Sequence, residues 1–556
     1  MVIEEKLGDR SQEHFDQKDG SLVLAHILFS ILALFLGGVA GLLQGMVRGG
    51  TIELPSNIGY YQLLTAHGVL MALVFTTFFI IGFLYSGVSK TLGGKLLPSV
   101  RKMGWIGFWF MALGTIIAVI QILLNKATVL YTFYAPLKAS SLFYISLVLL
   151  VVGSWVSGFG IFKQYFYWRK IHAGKLSPLF GFMAVTTMIM WQIATLGVAA
   201  TVLLQFIPWS FGWVETINVL LSRTLFWYFG HPLVYFWLLP AYICWYVIIP
   251  KIIGGKIFSD ALARLSFILL LLFSIPVGFH HQLMEPGISP FWKYVQVVLT
   301  FMVVIPSLMT AFSLFATFEL NGKAKGTKGL FGWVKVLPWK DVRFFAPFMG
   351  MLIFIPAGAG GLINASNQMN AVVHNTLWVT GHFHLTVASS VALTFFGILY
   401  WLIPAVKNRV LSTNVNRLGI IQTVLWCVGM FFMSGAMHTV GLFGSPRRTA
   451  YTTYGDHPDA VLWMPYHVVM AVGGMILFVS ILLLMYNIVL LLRAKKGYTE
   501  YPIGEVGSHA EPTPKLLERW GVWITVSIIL IVFAYTIPLM EIINTSVPGS
   551  KGFIMW

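Results

Sequence analysis

Apolar residues run in long blocks along this chain, separated by short polar segments. A membrane-crossing helix needs about 20 mostly apolar residues. Thirteen blocks approach or exceed that length, over approximately 21–46, 60–88, 103–124, 140–162, 178–206, 218–250, 265–283, 291–318, 344–365, 372–406, 418–445, 461–492 and 520–545. The longest polar connections are 319–343 and 493–519. The pattern predicts an all-α polytopic membrane helix bundle of about thirteen transmembrane helices, with residues 1–556 as one membrane domain. No short internal repeat and no low-complexity tract stands out. The first block is long enough to span and follows polar Glu4, Glu5, Lys6, Asp9 and Arg10, so a cleaved signal peptide is not expected.

Composition agrees. Hydrophobic residues make up 58% of the 556 positions and charged residues 10%, with a mean hydropathy of +0.81. A soluble domain carries about 25% charged residues, and one with so few would aggregate. Disorder, a secreted disulfide scaffold and nucleic-acid binding are excluded as main readings. The net charge of +17 tests topology instead. With a cytoplasmic N-terminus, 28 of the 36 Lys and Arg residues fall in inside segments. The outer eight are Arg48, Lys126, Lys138, Arg223, Lys293, Arg447, Arg448 and Lys551. That bias is the positive-inside signature. Cys244 and Cys427 sit in apolar blocks and are expected to be buried small hydrophobes.

Ionisable side chains at membrane depth mark functional sites, so the 14 histidines carry the next argument. His14, His172, His457 and His509 lie in polar segments, and His26, His438 and His467 stand alone in apolar blocks, where helix packing is the expectation. Three groups differ. His67 precedes Gly68, which leaves room for a flat ligand. His382 and His384, in Gly381-His382-Phe383-His384, point about 200° apart on a helix. They are either two packing residues or axial ligands of two flanking macrocycles, since neutral imidazole ligates haem iron. With His67 as a second ligand, one haem is six-coordinate and the other keeps an open position. In His231-Pro232-Leu233-Val234-Tyr235, His231 and Tyr235 share a helix face. Together with His280-His281, three neutral imidazoles suit copper with a position left for substrate. Counted from the block ends at about 1.5 Å per residue, all six histidines fall in the outer half of the membrane. Tyr235, Tyr242 and Tyr246 fall on one line of a helix and extend about 16 Å inward. Ser307 and Thr310 share a face of the eighth block. Hydroxyls both donate and accept, so this set is either a proton path or bundle packing. Arg447-Arg448 is an outer pair, either solvated or a fork for carboxylates.

Six intramembrane histidines in this order, with His-Pro-x-x-Tyr, His-His and His-x-His, resemble subunit I of the haem-copper terminal oxidases. The resemblance covers nearly the whole chain. It implies that His67 and His384 are axial ligands of a low-spin haem and that His382 ligates a high-spin, oxygen-binding haem. It implies that His231, His280 and His281 hold copper, with Tyr235 as the active-site tyrosine, covalently joined to His231. Phe383 is expected between the haems, and Arg447 and Arg448 at their propionates. The commonest branch has a glutamate where Leu233 stands and a lysine in the eighth block, where Ser307 and Thr310 stand. With Trp227, these departures resemble the B branch, of cytochrome c oxidase type. His374 is a candidate propionate-side proton exit, with Asn370 giving no carboxylate relay.

The resemblance implies reduction of O2 to water coupled to proton translocation, with copper and two haems. Ligand residues do not encode haem substituents; the expectation is a b-type low-spin haem and an a- or o-type high-spin haem. No cysteine pair offers a dinuclear copper site in this chain, so a subunit II carrying one is expected. Cytochrome c is the expected donor, a small additional membrane subunit a further partner, and the prokaryotic plasma membrane the location. A nitric oxide reductase with non-haem iron, a secondary transporter and an assembly scaffold are the alternatives. Tyr235 argues against the first and the six aligned histidines against the last, while a transporter has no reason to be coloured.

Overall fold

The computed structural model describes residues 14–450, 453–546 and 549–554. The early polar residues Glu4, Glu5, Lys6, Asp9 and Arg10 lie outside that range. Thirteen helices follow the thirteen apolar blocks. They are α1 (Gln17–Arg48), α2 (Tyr60–Thr91), α3 (Pro98–Leu123), α4 (Ser141–Ile171), α5 (Leu179–Ser210) and α6 (Val219–Ile252), then α7 (Asp260–Ser274). They continue with α8 (Pro290–Ala324), α9 (Val342–Ala365), α10 (Leu377–Lys407), α11 (Thr413–Leu442), α12 (Pro458–Arg493) and α13 (Trp520–Thr545).

Among the described residues, twelve of these are long and apolar enough to cross a membrane; α7, with 15 residues, falls short. Contacts at its ends show that it still traverses the bundle. Arg264, near its start, pairs with Glu518 at 2.9 Å. The same polar connection ahead of α13 reaches Lys251, at the end of α6, through Glu500 at 3.0 Å. Beyond the other end of α7, Glu285 pairs with Arg223, near the start of α6, at 3.3 Å. The two ends of α7 therefore lie at opposite ends of α6.

Local chemistry sets the helix limits. Asp16, Ser140, Asn218, Ser259 and Ser412 cap α1, α4, α6, α7 and α11 by accepting backbone N–H bonds. Pro98, Pro290 and Pro458 occupy first turns, where a missing N–H costs nothing. Pro306 explains the break at Met302–Val303 within α8, because its ring clashes with the carbonyl four residues back. Small residues let helices approach closely: a Cβ on Gly107 of α3 would stand 2.5 Å from the carbonyl of Gly153 on α4. Three π-helical stretches widen the helices where the candidate residues cluster, Val69–Phe75 just after His67, Cys244–Ile248 around Tyr246, and Thr386–Val391 just after His384. Such bulges frequently accompany functional sites.

Candidate functional site

His67 on α2 and His384 on α10 face each other across a cavity of about 220 Å³. Their rings are 6.3 Å apart between centres and only 9° from parallel. With metal–imidazole bonds of about 2 Å, two imidazoles on one ion have ring centres about 6 Å apart. The Nδ1 of His67 lies 2.9 Å from the Gly37 carbonyl, and the Nδ1 of His384 lies 2.8 Å from the Thr380 carbonyl. A carbonyl only accepts, so each Nδ1 carries the proton and each Nε2 keeps its lone pair for a ligand role. Gly41 makes room for this arrangement, since a Cβ there would come within 2.5 Å of His67 Nδ1. The space beside Gly68 is used otherwise than expected: Tyr131 packs into it, 2.9 Å from a Cβ at that position.

His382 points away from this pair, as the two-residue spacing requires, and stacks on Trp378 at 6.1 Å. Its ring meets the Ala357 backbone of α9, although Nδ1 makes no bond of full hydrogen-bond geometry among the described residues. Gly360 of α9 lies so close that a Cβ there would stand 2.7 Å from that atom. Phe383, between the two histidines, lines the cavity and packs edge-on against Trp237 of α6 at 5.8 Å.

One ring nitrogen each from His231, His280 and His281 lies within 4.8 Å of the others. The His231 Nδ1 and His281 Nε2 atoms are 3.3 Å apart, which is about the ligand–ligand spacing on a tetrahedral ion with ~2 Å bonds. Surrounding groups fix these rings. Thr300 of α8 donates its hydroxyl to the Gln296 carbonyl at 2.6 Å. It therefore accepts from His280 Nδ1 at 3.0 Å and leaves Nε2 free. Gln296, fully buried, accepts backbone N–H bonds from Gly278 at 2.8 Å and Phe279 at 2.7 Å, which pins the 3₁₀ turn Phe279–Gln282 carrying His280 and His281. Trp227 stacks on His281 at 3.8 Å and 9°. Tyr235 lies beside His231 at 5.1 Å, and His231 Nε2 has no hydrogen-bond partner among the described residues.

The remaining tyrosines continue along α6. Tyr242 interacts with Ser307 and Tyr246 with Thr310. Tyr246 also meets Ser313, and the Ser266 hydroxyl of α7 at 3.4 Å. Ser313 and Ser266 were not anticipated, although Ser313 continues the three-residue spacing of Ser307 and Thr310. Thr300, Gln296 and Gly37 gave no sequence signal, because their roles rest on contacts between helices.

Arg447 and Arg448 line the cavity with His67 and His384. Arg447 donates to the Asn375 side chain at 3.0 Å, and Arg448 lies over the Tyr134 ring at 5.0 Å. Burial, with Arg448 beside it, pushes the Arg447 guanidinium down to about 10. His374, in the connection before α10, meets the Asn370 side-chain oxygen at 3.1 Å. Burial, with Arg447 and Arg448 nearby, pushes its imidazole down to about 4. The histidines expected to pack include His26, buried against Phe108 at 5.1 Å, and His438, against Trp378 at 5.0 Å. His467 is buried too, and its Nε2 meets the Ser445 hydroxyl at 3.1 Å.

Residues 21–476 match the family model described as Cytochrome C and Quinol oxidase polypeptide I. The chain is 42% identical to cytochrome c oxidase subunit 1 of Thermus thermophilus, over 99% of each chain. It is 24% identical to quinol oxidase subunit 1 of Bacillus subtilis, over 84% of this chain and 71% of that one. A heme-copper terminal oxidase dimer solved by cryo-electron microscopy superimposes with a TM-score of 0.91 at 38% identity, covering 97% of this chain and 96% of that one. Agreement of this extent, on a chain whose histidines gather in the geometry above, shows that it belongs to the cytochrome c and quinol oxidase polypeptide I family, as subunit I of a haem-copper oxidase.

Proposed function

We propose that this chain takes electrons from cytochrome c through a subunit II bearing a dinuclear copper centre and reduces O2 to water while translocating protons. The observation that carries the reading is the juxtaposition of two sites in one bundle: a parallel histidine pair spaced for one metal atom, and a three-imidazole cluster with a tyrosine beside it. In this reading His67 and His384 hold a low-spin b-type haem, His382 a high-spin haem of a or o type, and His231, His280 and His281 copper. When bound, these groups supply electron transfer and the four-electron reduction of oxygen.

The residues present fit them. The lone pairs of His67, His280 and His384 are freed by Nδ1–H bonds to protein oxygens, and His382 turns its Nδ1 toward the backbone of α9 at Ala357 and Gly360, which leaves Nε2 for a ligand role. Arg447 and Arg448 are suited to bind propionates, and Phe383 fills the space between the two haem sites. Tyr235 holds a phenolic proton beside His231, where oxygen chemistry needs one, and the unpartnered His231 Nε2 is free for the covalent link to Tyr235. Tyr242 with Ser307, and Tyr246 with Thr310, pass protons toward it by reorientation of hydroxyls and water. No carboxylate or lysine is needed on this route, which with Leu233 and Trp227 favours the B branch. His374, beside Arg447 and Arg448, is the candidate proton exit on the propionate side. The charge bias supports a cytoplasmic N-terminus, and similarity to bacterial oxidase subunits supports the prokaryotic plasma membrane as the location.

An oxygen electrode tests the reading. The purified complex is expected to consume O2 with reduced cytochrome c and to lose at least ~10²-fold in rate on Tyr235→Phe, the lower end of what a positioned proton donor supplies. Nitric oxide consumption without oxygen consumption would contradict it.

A further inference from the structure

Arg48 ends α1 and is only 4% exposed. Three of its contacts converge on the segment that carries the arginine pair. It donates to the Pro446 carbonyl, to the Thr449 carbonyl at 3.3 Å, and to the Ser445 hydroxyl at 3.5 Å. It therefore brackets Arg447 and Arg448 from both sides. Ser445 in turn meets the fully buried His467. All of these partners are neutral. Arg48 also lines the cavity shared by His67, His384, Arg447 and Arg448 and meets the neutral Tyr60 side chain, and its buried Nε has no hydrogen-bond partner of full geometry among the described residues. Among the described residues, no carboxylate forms an ion pair with Arg48, Arg447 or Arg448. A buried guanidinium is costly without a counter-charge, and buried Arg48 together with the half-buried Arg447 and Arg448 on one apolar cavity calls for a ligand with more than one negative charge.

We propose that Arg48 is a third cationic binding residue for the carboxylates of the group held by His67 and His384, and that its charge raises that group's reduction potential. The inference rests on the haem reading of the cavity. A buried positive charge favours the reduced, less positive iron, and the low dielectric of the site keeps that influence strong. Through its three acceptors, Arg48 also positions the Arg447–Arg448 turn.

The test compares Arg48→Gln and Arg48→Lys in the purified complex by potentiometric titration of the low-spin haem, with haem content measured in parallel. A midpoint that falls in R48Q and stays near wild type in R48K, with the carbon-monoxide-binding haem less affected, is the expected result. Selective loss of the low-spin haem from R48Q, while R48K retains it, supports the same assignment. An unchanged midpoint in R48Q overturns the proposal. So does an equal fall in both variants, or loss of the haem from both, which would make Arg48 a structural residue only. A wild-type complex without a six-coordinate low-spin haem would instead remove the reading beneath it.

Discussion

At the scale of single residues, the ligand set depends on neighbours that aim it. Thr300 accepts the His280 Nδ1–H and thereby selects the tautomer that can bind a metal. Such supporting groups are typically worth ~10–100-fold in metal affinity, so Thr300→Val is expected to lower copper retention by that factor. Competition with a chelator, read as the copper-to-iron ratio, checks it. Gly41→Ala places a methyl group 2.5 Å from His67 Nδ1. His67 cannot yield without losing its bond to Gly37, so the variant is expected to lose low-spin character in its absorption spectrum while the second haem remains. The six histidines were legible in sequence because imidazoles are conspicuous in apolar blocks. Thr300, Gly37, Gly41 and Arg48 were not, because a threonine, a carbonyl, a missing Cβ or an arginine at a helix end means nothing until another helix is placed against it.

At the scale of elements, two interruptions do the positioning. The 3₁₀ turn after α7 presents adjacent histidines to one centre, and Gln296 of α8 holds it by two backbone bonds. Gln296→Leu strands two buried N–H groups, each costing ~1–3 kcal/mol. Its thermal unfolding midpoint is expected to fall, together with copper content. The π stretch Cys244–Ile248 carries Tyr246, and the hydroxyls along α6 group with neighbours in two places, Tyr242 with Ser307 and Tyr246 with Thr310, Ser313 and Ser266. Tyr242→Phe is expected to slow turnover by at least tenfold with unchanged haem spectra; stopped-flow proton uptake reports the step. Helix existence was readable from apolar block length alone. The π stretches were not, since side-chain periodicity in uniformly apolar helices carries no phase. The break in α8 was not anticipated, since 291–318 reads as one apolar block, although Pro306 is the residue that causes it; α7 was read as longer than its 15 residues because its apolar run continues through the turn.

At the scale of the whole molecule, the scarcity of charge organises both the topology and the site. The ion pairs Lys251–Glu500, Lys256–Glu505 and Arg264–Glu518 join segments that charge bias assigns to one side, and Arg223–Glu285 joins two assigned to the other. Single cysteines at Lys126 and Lys328 are expected to react with an impermeant maleimide only from outside and only from inside, respectively, in oriented cells. Three of the four arginines that break the bias, Arg48, Arg447 and Arg448, line the cavity of His67 and His384; the fourth, Arg223, pairs with Glu285. The central claim is that this bundle holds two haems and one copper in distinct ligand environments. The most direct test is a reduced-minus-oxidised spectrum with and without carbon monoxide, with iron and copper measured on the same sample. The account predicts two haem irons per site copper, after subtracting two for the copper centre of subunit II, and a carbon monoxide shift in one haem only. A single haem, absence of copper, or a spectrum that carbon monoxide leaves unchanged would contradict it.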